Sequence, residues 1–190
     1  MIDETVAQRL RLVGFDVDGV FTDGGVYLGS VGDQAVELKR FDIQDGLGVK
    51  FLRDAGLTVV LVSGRQSEAT TLRAREIGID EVIQDDAAAK LPAFEAILAR
   101  RGIRFDECAF VGDDLADLPV LTRVALPIAV ANAVAEVKAV ADFVTRASGG
   151  HGAVREIAEA VLRARGAWET VVEQYLTERG DVAYRAAGSR

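Results

Sequence analysis

The feature that most constrains this chain is an apolar run that ends abruptly in carboxylates. The run from Leu10 to Phe15, interrupted by Arg11, is followed directly by Asp16-Val17-Asp18-Gly19. In an open α/β sheet, ligands bind in the crevice at the carboxyl ends of the strands, so these carboxylates fall where chemistry occurs. Two neighbouring carboxylates repel each other unless a cation is bound or they take different protonation states. The segment indicates a Mg2+ site with an aspartyl nucleophile. On these residues alone, an acidic turn that caps a helix is an equally good interpretation.

Short apolar runs alternate with amphipathic segments of helical length. The predicted strands are Leu10 to Phe15, Leu57 to Val62, Glu81 to Gln84, Cys108 to Val111, Leu126 to Val130 and Asp142 to Thr145. The predicted helices include Gln66 to Ile77, Ala87 to Arg101, Ala133 to Val140, Ala153 to Arg165 and Ala167 to Glu178. Gly56, Gly78 and Gly102 follow helical segments, where a left-handed glycine commonly ends a helix. The alternation predicts an α/β fold with a Rossmann-like parallel sheet flanked by helices.

One interval departs from this alternation. Between Asp23 and Phe41, the segments Gly24 to Gly29 and Ala35 to Lys39 predict a β-hairpin whose loop is Ser30 to Gln34. An isolated hairpin is marginally stable in water, so we expect it to pack on another surface, such as a neighbouring subunit. The 190 residues predict a single domain over residues 1–180, with the hairpin at about 24–40, no cap domain, and a flexible tail at 181–190.

The charge and composition of the chain limit the classes of partner that we expect. The chain has 22 Lys and Arg against 30 Asp and Glu, a net charge of −8, which repels phosphate backbones and argues against nucleic acid. No apolar stretch approaches the roughly 20 residues of a membrane span, and the first residues lack a signal-peptide layout, so we expect a cytoplasmic protein without a membrane partner. Cys108 is the single cysteine, which excludes a disulfide within the chain.

Three further features follow predicted strands or begin a helix. Ser63-Gly64-Arg65 offers a hydroxyl and backbone N–H groups that suit a phosphate oxygen, and an N-cap is the simpler alternative for Ser63. The run Gly112-Asp113-Asp114-Leu115-Ala116-Asp117 forms a later acidic cluster. Lys90 lies near the start of a predicted helix, where a solvated lysine is the ordinary expectation. An order of Asp-x-Asp, Ser, Lys and Gly-Asp-Asp is hard to produce by chance.

This order resembles the four-motif pattern of the haloacid dehalogenase superfamily of phosphotransferases from about Leu10 to Ile157. At finer grain, the chain resembles the 3-deoxy-D-manno-octulosonate 8-phosphate phosphatase family, a set of small, cap-lacking, usually tetrameric cytoplasmic enzymes of lipopolysaccharide sugar synthesis. The segments that carry the finer resemblance are Asp16 to Gly24, the glycine-rich hairpin, Asp45 to Gly48, Ser63 to Arg65, Gly112 to Asp114 and Gly149 to Glu156.

The resemblance implies a role for each motif. Asp16 attacks phosphorus and forms an aspartyl phosphate, and Asp18 protonates the leaving sugar oxygen and then activates water. Mg2+ is held by the Asp16 side chain, the Asp18 main-chain carbonyl and Asp113. Ser63 and Lys90 hold the phosphoryl oxygens and balance charge. Asp114 and Asp117 are interpreted as supporting or helix-start residues.

The resemblance also implies which residues surround a sugar-acid phosphate, partly across a subunit boundary. These substrate residues are Asp18, Asp42, Gln44, Asp45, Gly46, Lys50, Arg65, Arg73 and Lys90. An arginine fork such as that of Arg65 suits a carboxylate. The family usually has Asn, Arg and Arg where this chain has Asp42, Gln44 and Lys50.

The leading hypothesis is a Mg2+-dependent homotetrameric phosphatase of a sugar-acid phosphate, most simply 3-deoxy-D-manno-octulosonate 8-phosphate. An acylneuraminate 9-phosphate phosphatase is one alternative, although an acidic residue would then be expected where Arg65 stands. A receiver-like signalling module is another, and it would carry its phosphorylated residue after the third strand, at Asp85 or Asp86. In the tetramer we expect the hairpins to meet at the centre and Arg73 to reach the substrate of an adjacent subunit.

Overall fold

The computed structural model describes residues 1–85 and 89–180, and a six-stranded parallel sheet lies at its centre. The strands in chain order are β1 (Leu12–Phe15), β2 (Tyr27–Val31), β3 (Gln34–Leu38), β4 (Thr58–Ser63), β5 (Glu81–Gln84), β6 (Cys108–Gly112), β7 (Leu126–Ala129) and β8 (Phe143–Val144). The main sheet has the order β5-β4-β1-β6-β7-β8, and β2 pairs with β3 in a separate antiparallel hairpin. The predicted α/β fold is confirmed.

Helices cover the sheet. They are α1 (Glu4–Arg9), α2 (Ile43–Asp54), α3 (Glu68–Ile77), α4 (Lys90–Arg101), α5 (Leu118–Leu121), α6 (Ala135–Val140), α7 (Ala153–Ala164) and α8 (Trp168–Thr177). The predicted helices are confirmed with shifted ends, and the predicted start at Ala87 and the predicted tail at 181–190 lie outside the described residues. Within the described ranges, no helix combines the length and apolar character that a membrane crossing requires.

Strand β1 is the centre of the hydrophobic core. All its residues are buried, and it pairs with β4 on one side and β6 on the other. A Cβ atom on Gly14 would lie 2.7 Å from the ring of Phe110 and 2.8 Å from that of Phe94, so only glycine allows this aromatic pair to pack on the strand. The strand order reverses between β1 and β6, and in such sheets ligands bind at the carboxyl ends on either side of the reversal.

The hairpin is confirmed, but its predicted loop is wrong. The strands extend to Val31 and begin again at Gln34, so the connection is the two-residue turn Gly32-Asp33 rather than Ser30 to Gln34. Gly32 has φ +61°, a conformation that the turn requires and that glycine adopts without steric cost. The tight turn lets Ser30 and Ala35 pair within the ladder.

Asp45 joins α2 to α7 in the interior. Its side chain is 1% exposed, and Oδ1 accepts a hydrogen bond from the backbone N–H of Arg155 at 2.8 Å, in the first turn of α7. Burial raises the pKa of Asp45 from 3.8 to about 6, although the hydrogen bond from Arg155 opposes the shift. This carboxyl contacts a helix terminus and not an open surface, and its contact with substrate remains a prediction.

We expect the substitution Asp45→Asn to gain stability relative to the original protein as the pH rises. Because the folded-state pKa is about 6, the stabilising contribution of Asp45 is fully present below pH 3.8 and is lost as the pH rises through 6. Asparagine does not ionise, so the difference in free energy of unfolding should shift in its favour by about 2–3 kcal/mol. Urea unfolding at about pH 4.5 and about pH 7.5 measures this difference, and a difference that does not vary with pH would contradict the expectation.

Candidate active site

Three carboxylates meet at the carboxyl edge of the sheet, beside the reversal of strand order. Asp16 follows β1, Asp113 follows β6, and Asp117 ends a short 3-10 turn over Leu115–Asp117. One oxygen atom from each of the three side chains lies within 4.8 Å of the others. The edge therefore brings together two carboxylates that the sequence predicted as metal ligands and adds Asp117, which the sequence analysis interpreted only as a supporting residue.

Lys90 lies between two of these carboxylates. Its ammonium nitrogen is 2.7 Å from Asp16 Oδ1 and 2.6 Å from Asp117 Oδ1, and the residue is only 6% exposed. Lys90 is the first residue of α4, so the start of that helix delivers the cation to the site. The alternative of a solvated helical lysine is wrong.

Burial of these charges shifts their titration. Burial, together with repulsion from Asp117, holds the pKa of Asp16 well above its ordinary value, against the attraction of Lys90. Burial and the charge of Asp117 likewise raise the pKa of Asp113 to about 6. Burial lowers the pKa of Lys90, but the charges of Asp16 and Asp117 outweigh it, so the net shift is upward and the ammonium form is favoured. The cluster has more negative than positive charge, which favours a bound cation.

The donor set fits Mg2+. Asp113 Oδ1 is buried and has no hydrogen-bond partner among the described residues, so an oxygen is available to a ligand at a position where leaving it unpaired is costly. Carboxylate oxygens are the ligands that this hard cation prefers. Asp117 is less available, because Oδ1 contacts Lys90 and Oδ2 accepts the N–H groups of Asp113 and Asp114. Asp114 is exposed and accepts the N–H of Leu115, as expected of a helix-start residue.

Ser63 is the last residue of β4, which lies next to β1, and it is 2% exposed. Its Oγ accepts a hydrogen bond of 3.2 Å from the backbone N–H of Arg65. The N-cap of α3 is Ser67, whose Oγ accepts from Thr70 N–H. The N-cap alternative for Ser63 is therefore wrong, and its hydroxyl lies at the same edge as Asp16.

The turn after Asp16 is supported from behind by two loops that the sequence analysis did not connect with the site. The side-chain amide of Asn132 donates to Gly19 O at 2.9 Å and accepts from Gly149 N–H at 2.7 Å. A Cβ on Gly149 would lie 1.8 Å from Gly19 O, so the backbones approach as only glycine permits. Thr22, fully buried, accepts the N–H groups of Gly19 and Gly24.

Asp18 contacts the hairpin. The Lys39 ammonium lies 2.8 Å from Oδ1 and 3.0 Å from Oδ2 of Asp18, and the Lys39 side chain is fully buried. Glu37 receives a hydrogen bond of 2.6 Å from Ser67 Oγ and pairs with Arg65 at 3.0 Å. The hydrogen bond from Ser67 lowers the pKa of Glu37, burial opposes the shift, and the charges of Lys39 and Arg65 add to the lowering. Sequence reasoning missed Lys39 and Glu37, since nothing in a strand pattern shows which loop it will cover.

The remaining predicted substrate residues divide between two places. Arg65 lies beside Asp18, with Nη1 4.0 Å from Oδ2. Gly46, Lys50 and Arg73 line a groove of about 490 Å3 between α2 and α3 whose walls, within the described residues, do not include Asp16 or Asp18.

Contacts within and beside this groove already engage its polar groups. Arg73 donates to Asp42 O at 2.9 Å and pairs with Glu76, and Lys50 pairs with Asp54 at 2.6 Å. The Asp42 side chain caps α2 by accepting Gln44 N–H, and Gln44 is exposed. The structure of one chain thus does not bring these residues to Asp16.

Comparison with known proteins agrees with this geometry. The model of the haloacid dehalogenase-like hydrolase family matches residues 82–157, which include Lys90 and the acidic loop after β6. The 3-deoxy-D-manno-octulosonate 8-phosphate phosphatase KdsC of Escherichia coli K12 is 39% identical over 160 residues, which are 84% of this chain and 83% of that protein. The chain belongs to the 3-deoxy-D-manno-octulosonate 8-phosphate phosphatase family, and it is a phosphatase.

Solved structures give the same relationship. The phosphatase of the same name from Moraxella catarrhalis, determined in complex with magnesium ion, phosphate ion and KDO, has a TM-score of 0.85 at 34% identity, covering 90% of this chain and 97% of that one. The phosphatase from Yersinia pestis has a TM-score of 0.82 at 37% identity, covering 87% of this chain and 88% of that one.

The two alternatives are not favoured. The relatives reported above are 3-deoxy-D-manno-octulosonate 8-phosphate phosphatases and not acylneuraminate phosphatases. A receiver would carry its phosphorylated aspartate after the third strand of the parallel sheet, which is β5 here. Asp85 follows β5 at the edge of the sheet, two strands away from β1 and its carboxylates, and Asp86 lies outside the described residues.

We expect Gly149→Ala to weaken Mg2+ binding and catalysis together. The added methyl group would overlap Gly19 O and force the turn that carries Asp16 and Asp18 to move. Displacements of about 1 Å at a catalytic group can cost about 100-fold in rate. Mg2+ titration followed by calorimetry and steady-state kinetics measure the two effects, and unchanged values for both would show that the loop contact does not position the turn.

Proposed function

We propose that this phosphatase hydrolyses 3-deoxy-D-manno-octulosonate 8-phosphate through an aspartyl phosphate on Asp16. The observation that carries the proposal is the Lys90 ammonium held between Asp16 and Asp117, beside the unpartnered oxygen of Asp113. A phosphoryl group beside Asp16 would find a nucleophile and a cation in one buried place. The relatives reported above are 3-deoxy-D-manno-octulosonate 8-phosphate phosphatases, which supports the proposed substrate.

The residues divide the reaction into two displacements. In the first, an oxygen of Asp16 forms a bond to phosphorus while the bond from phosphorus to the sugar oxygen breaks, and Asp18 gives its proton to that oxygen. In the second, Asp18 takes a proton from a water molecule whose oxygen bonds to phosphorus, and the bond to Asp16 breaks. Phosphate is released and both carboxylates return to their initial states.

The residues around Asp16 would stabilise the charge on the transferring phosphoryl group. Lys90 would hold a phosphoryl oxygen and oppose the charge that builds on it, and Ser63 would donate its hydroxyl hydrogen to another. Asp16, Asp113 and the main-chain carbonyl of Asp18 would hold Mg2+. When bound, the ion neutralises negative charge on the transferring group and on the carboxylates around it. Asp117 keeps Lys90 and the Asp113 backbone in position.

Substrate selection is proposed for Arg65, whose fork lies near Asp18 and suits a carboxylate. The contributions of Asp42, Gln44, Lys50 and Arg73 remain predictions, because within one chain they lie around α2 and α3. A cytoplasmic location also stays a prediction.

The function is tested by phosphate release across a panel of sugar-acid phosphates and ordinary sugar phosphates. We expect turnover of 3-deoxy-D-manno-octulosonate 8-phosphate that requires Mg2+ and exceeds the turnover of neutral sugar phosphates. Comparable rates on all compounds would remove the sugar-acid assignment.

We expect Asp16→Asn to abolish multiple turnover while the protein stays folded. The amide keeps the shape of the side chain but neither attacks phosphorus as an anion nor pairs with Lys90 as a charge. Phosphate release over many equivalents of substrate measures the loss, and circular dichroism checks the fold. Sustained turnover by the purified variant would rule out Asp16 as the nucleophile.

We propose a homotetramer whose hairpins meet at its centre. Strands β2 and β3 pair with each other away from the main sheet, and four large apolar side chains on them are exposed. These are Tyr27, Leu28, Val31 and Leu38. Clustered exposed apolar side chains of this kind mark interaction sites. A neighbour packed on the hairpin would also cover a site over which the described residues form no cap domain.

Deleting residues 29–35 should therefore give smaller species. We expect poor hydrolysis of the sugar-acid phosphate and residual hydrolysis of an aryl phosphate, since Asp16, Asp113 and Lys90 do not lie on the hairpin. Light scattering at micromolar concentration measures the assembly. A fully active monomer of the undeleted protein would overturn the proposed tetramer.

A further inference from the structure

A buried lysine at the base of the hairpin is bound to the carboxylate of Asp18. Lys39 directly follows β3, its side chain has no exposed surface, and its ammonium contacts both oxygens of Asp18, at 2.8 Å and 3.0 Å. Asp18 and Lys39 come from different parts of the fold, the turn after β1 and the end of the hairpin. A single cation therefore fixes both ends of the carboxylate.

The lysine is itself held in place. Glu37, two residues earlier, lies 3.7 Å from the Lys39 ammonium, and Ser67 and Arg65 bind the Glu37 carboxylate. Arg65 also approaches Asp18 to 4.0 Å. Two cations and two carboxylates thus form a connected group between the hairpin, the turn after β1 and the loop after β4. Burying the lysine is unfavourable unless its charge is paired, and this group pairs it.

We propose that Lys39 is a positioning residue for the known reaction, which orients the Asp18 carboxyl toward the leaving sugar oxygen. The proposal rests on the proposed role of Asp18 as the proton donor. A carboxyl group on a turn rotates about its side-chain bonds, and only some orientations place a proton in line with the leaving oxygen. The contact with Lys39 restricts that rotation, because the ammonium still holds one oxygen when the other carries the proton.

The chemistry of the leaving group gives a test that a merely structural role would not satisfy. When the bond from phosphorus to a sugar oxygen breaks, the electron pair stays on an alkoxide that must take the proton of Asp18. A p-nitrophenolate leaves with its negative charge already stabilised and needs no proton. Loss of Asp18 orientation should therefore slow the first displacement, which kcat/KM reports, far more on the sugar phosphate than on p-nitrophenyl phosphate. The second displacement, in which Asp18 accepts a proton from water, is common to both substrates.

The experiment compares Lys39→Met, Lys39→Gln and Lys39→Arg with the original enzyme at saturating Mg2+. For Lys39→Met and Lys39→Gln we expect kcat/KM on 3-deoxy-D-manno-octulosonate 8-phosphate to fall about 10- to 100-fold, at or below the lower end of the roughly 10²–10⁴-fold that general acid catalysis contributes, and to fall much less on p-nitrophenyl phosphate. Lys39→Arg, which keeps the charge, should recover part of the loss. Lys138→Met, a substitution of an exposed lysine on α6, is the matched control and should change neither rate.

A double substitution tests whether Lys39 acts through Asp18 or only by holding the hairpin against the turn after β1. If Lys39 acts through Asp18, Asp18→Asn combined with Lys39→Met should be no slower than Asp18→Asn alone. Equal losses of kcat/KM on both substrates, or additive losses in the double variant, would overturn the proposal. Thermal unfolding identifies any variant that does not fold, and Lys39→Gln then replaces Lys39→Met.

The experiment also distinguishes failure of the proposed role of Lys39 from failure of the proposed substrate. An original enzyme that does not hydrolyse the sugar-acid phosphate contradicts the substrate, and the comparison of leaving groups is then made with an alkyl phosphate that it does hydrolyse. Under that comparison, a selective loss in Lys39→Met still supports the positioning role, and an unselective loss still overturns it.

Discussion

The buried contact of Lys90 with Asp16 and Asp117 is the interaction on which the rest of the site depends. Without the ammonium, three carboxylates would face one another in a poorly solvated space, and such an arrangement is strongly unfavourable. The lysine reduces this repulsion but leaves a negative excess, which is the condition for holding a divalent cation. In the proposed reaction, the Lys90 ammonium would also oppose the negative charge of a phosphoryl group.

The sheet makes this contact possible through its topology. Asp16 and Asp113 follow strands that are neighbours in space, because β6 pairs directly with β1. Lys90 and Ser63 arrive from the other side through α4 and β4. The charged side chains of the site are thus carried on rigid neighbouring elements. The loops around Asn132 and Gly149 hold the turn that follows Asp16.

Sequence reasoning recovered the parts of the site that follow from strand ends. Asp16, Ser63 and Asp113 could be predicted together because parallel strands end at one edge, and the order of motifs added Lys90. Lys39 and Asn132 could not be found in this way, because their partners are set by how the hairpin and distant loops fold over the edge. The burial of the Asp45 carboxyl could not be predicted either, because it results from the packing of α2 on α7.

The pairing of the central strand also determines when the fold can form. Leu12 of β1 pairs with Thr58 of β4 and Cys108 of β6, so neither neighbour of the first strand is close to it in the chain. During synthesis from the N-terminus, β1 has one unpaired edge until β6 has emerged, and an unpaired apolar strand edge favours aggregation. Contacts so distant in sequence also favour slow folding. Asp16 is thus translated early, but the site around it is assembled only after more than half of the chain has been made.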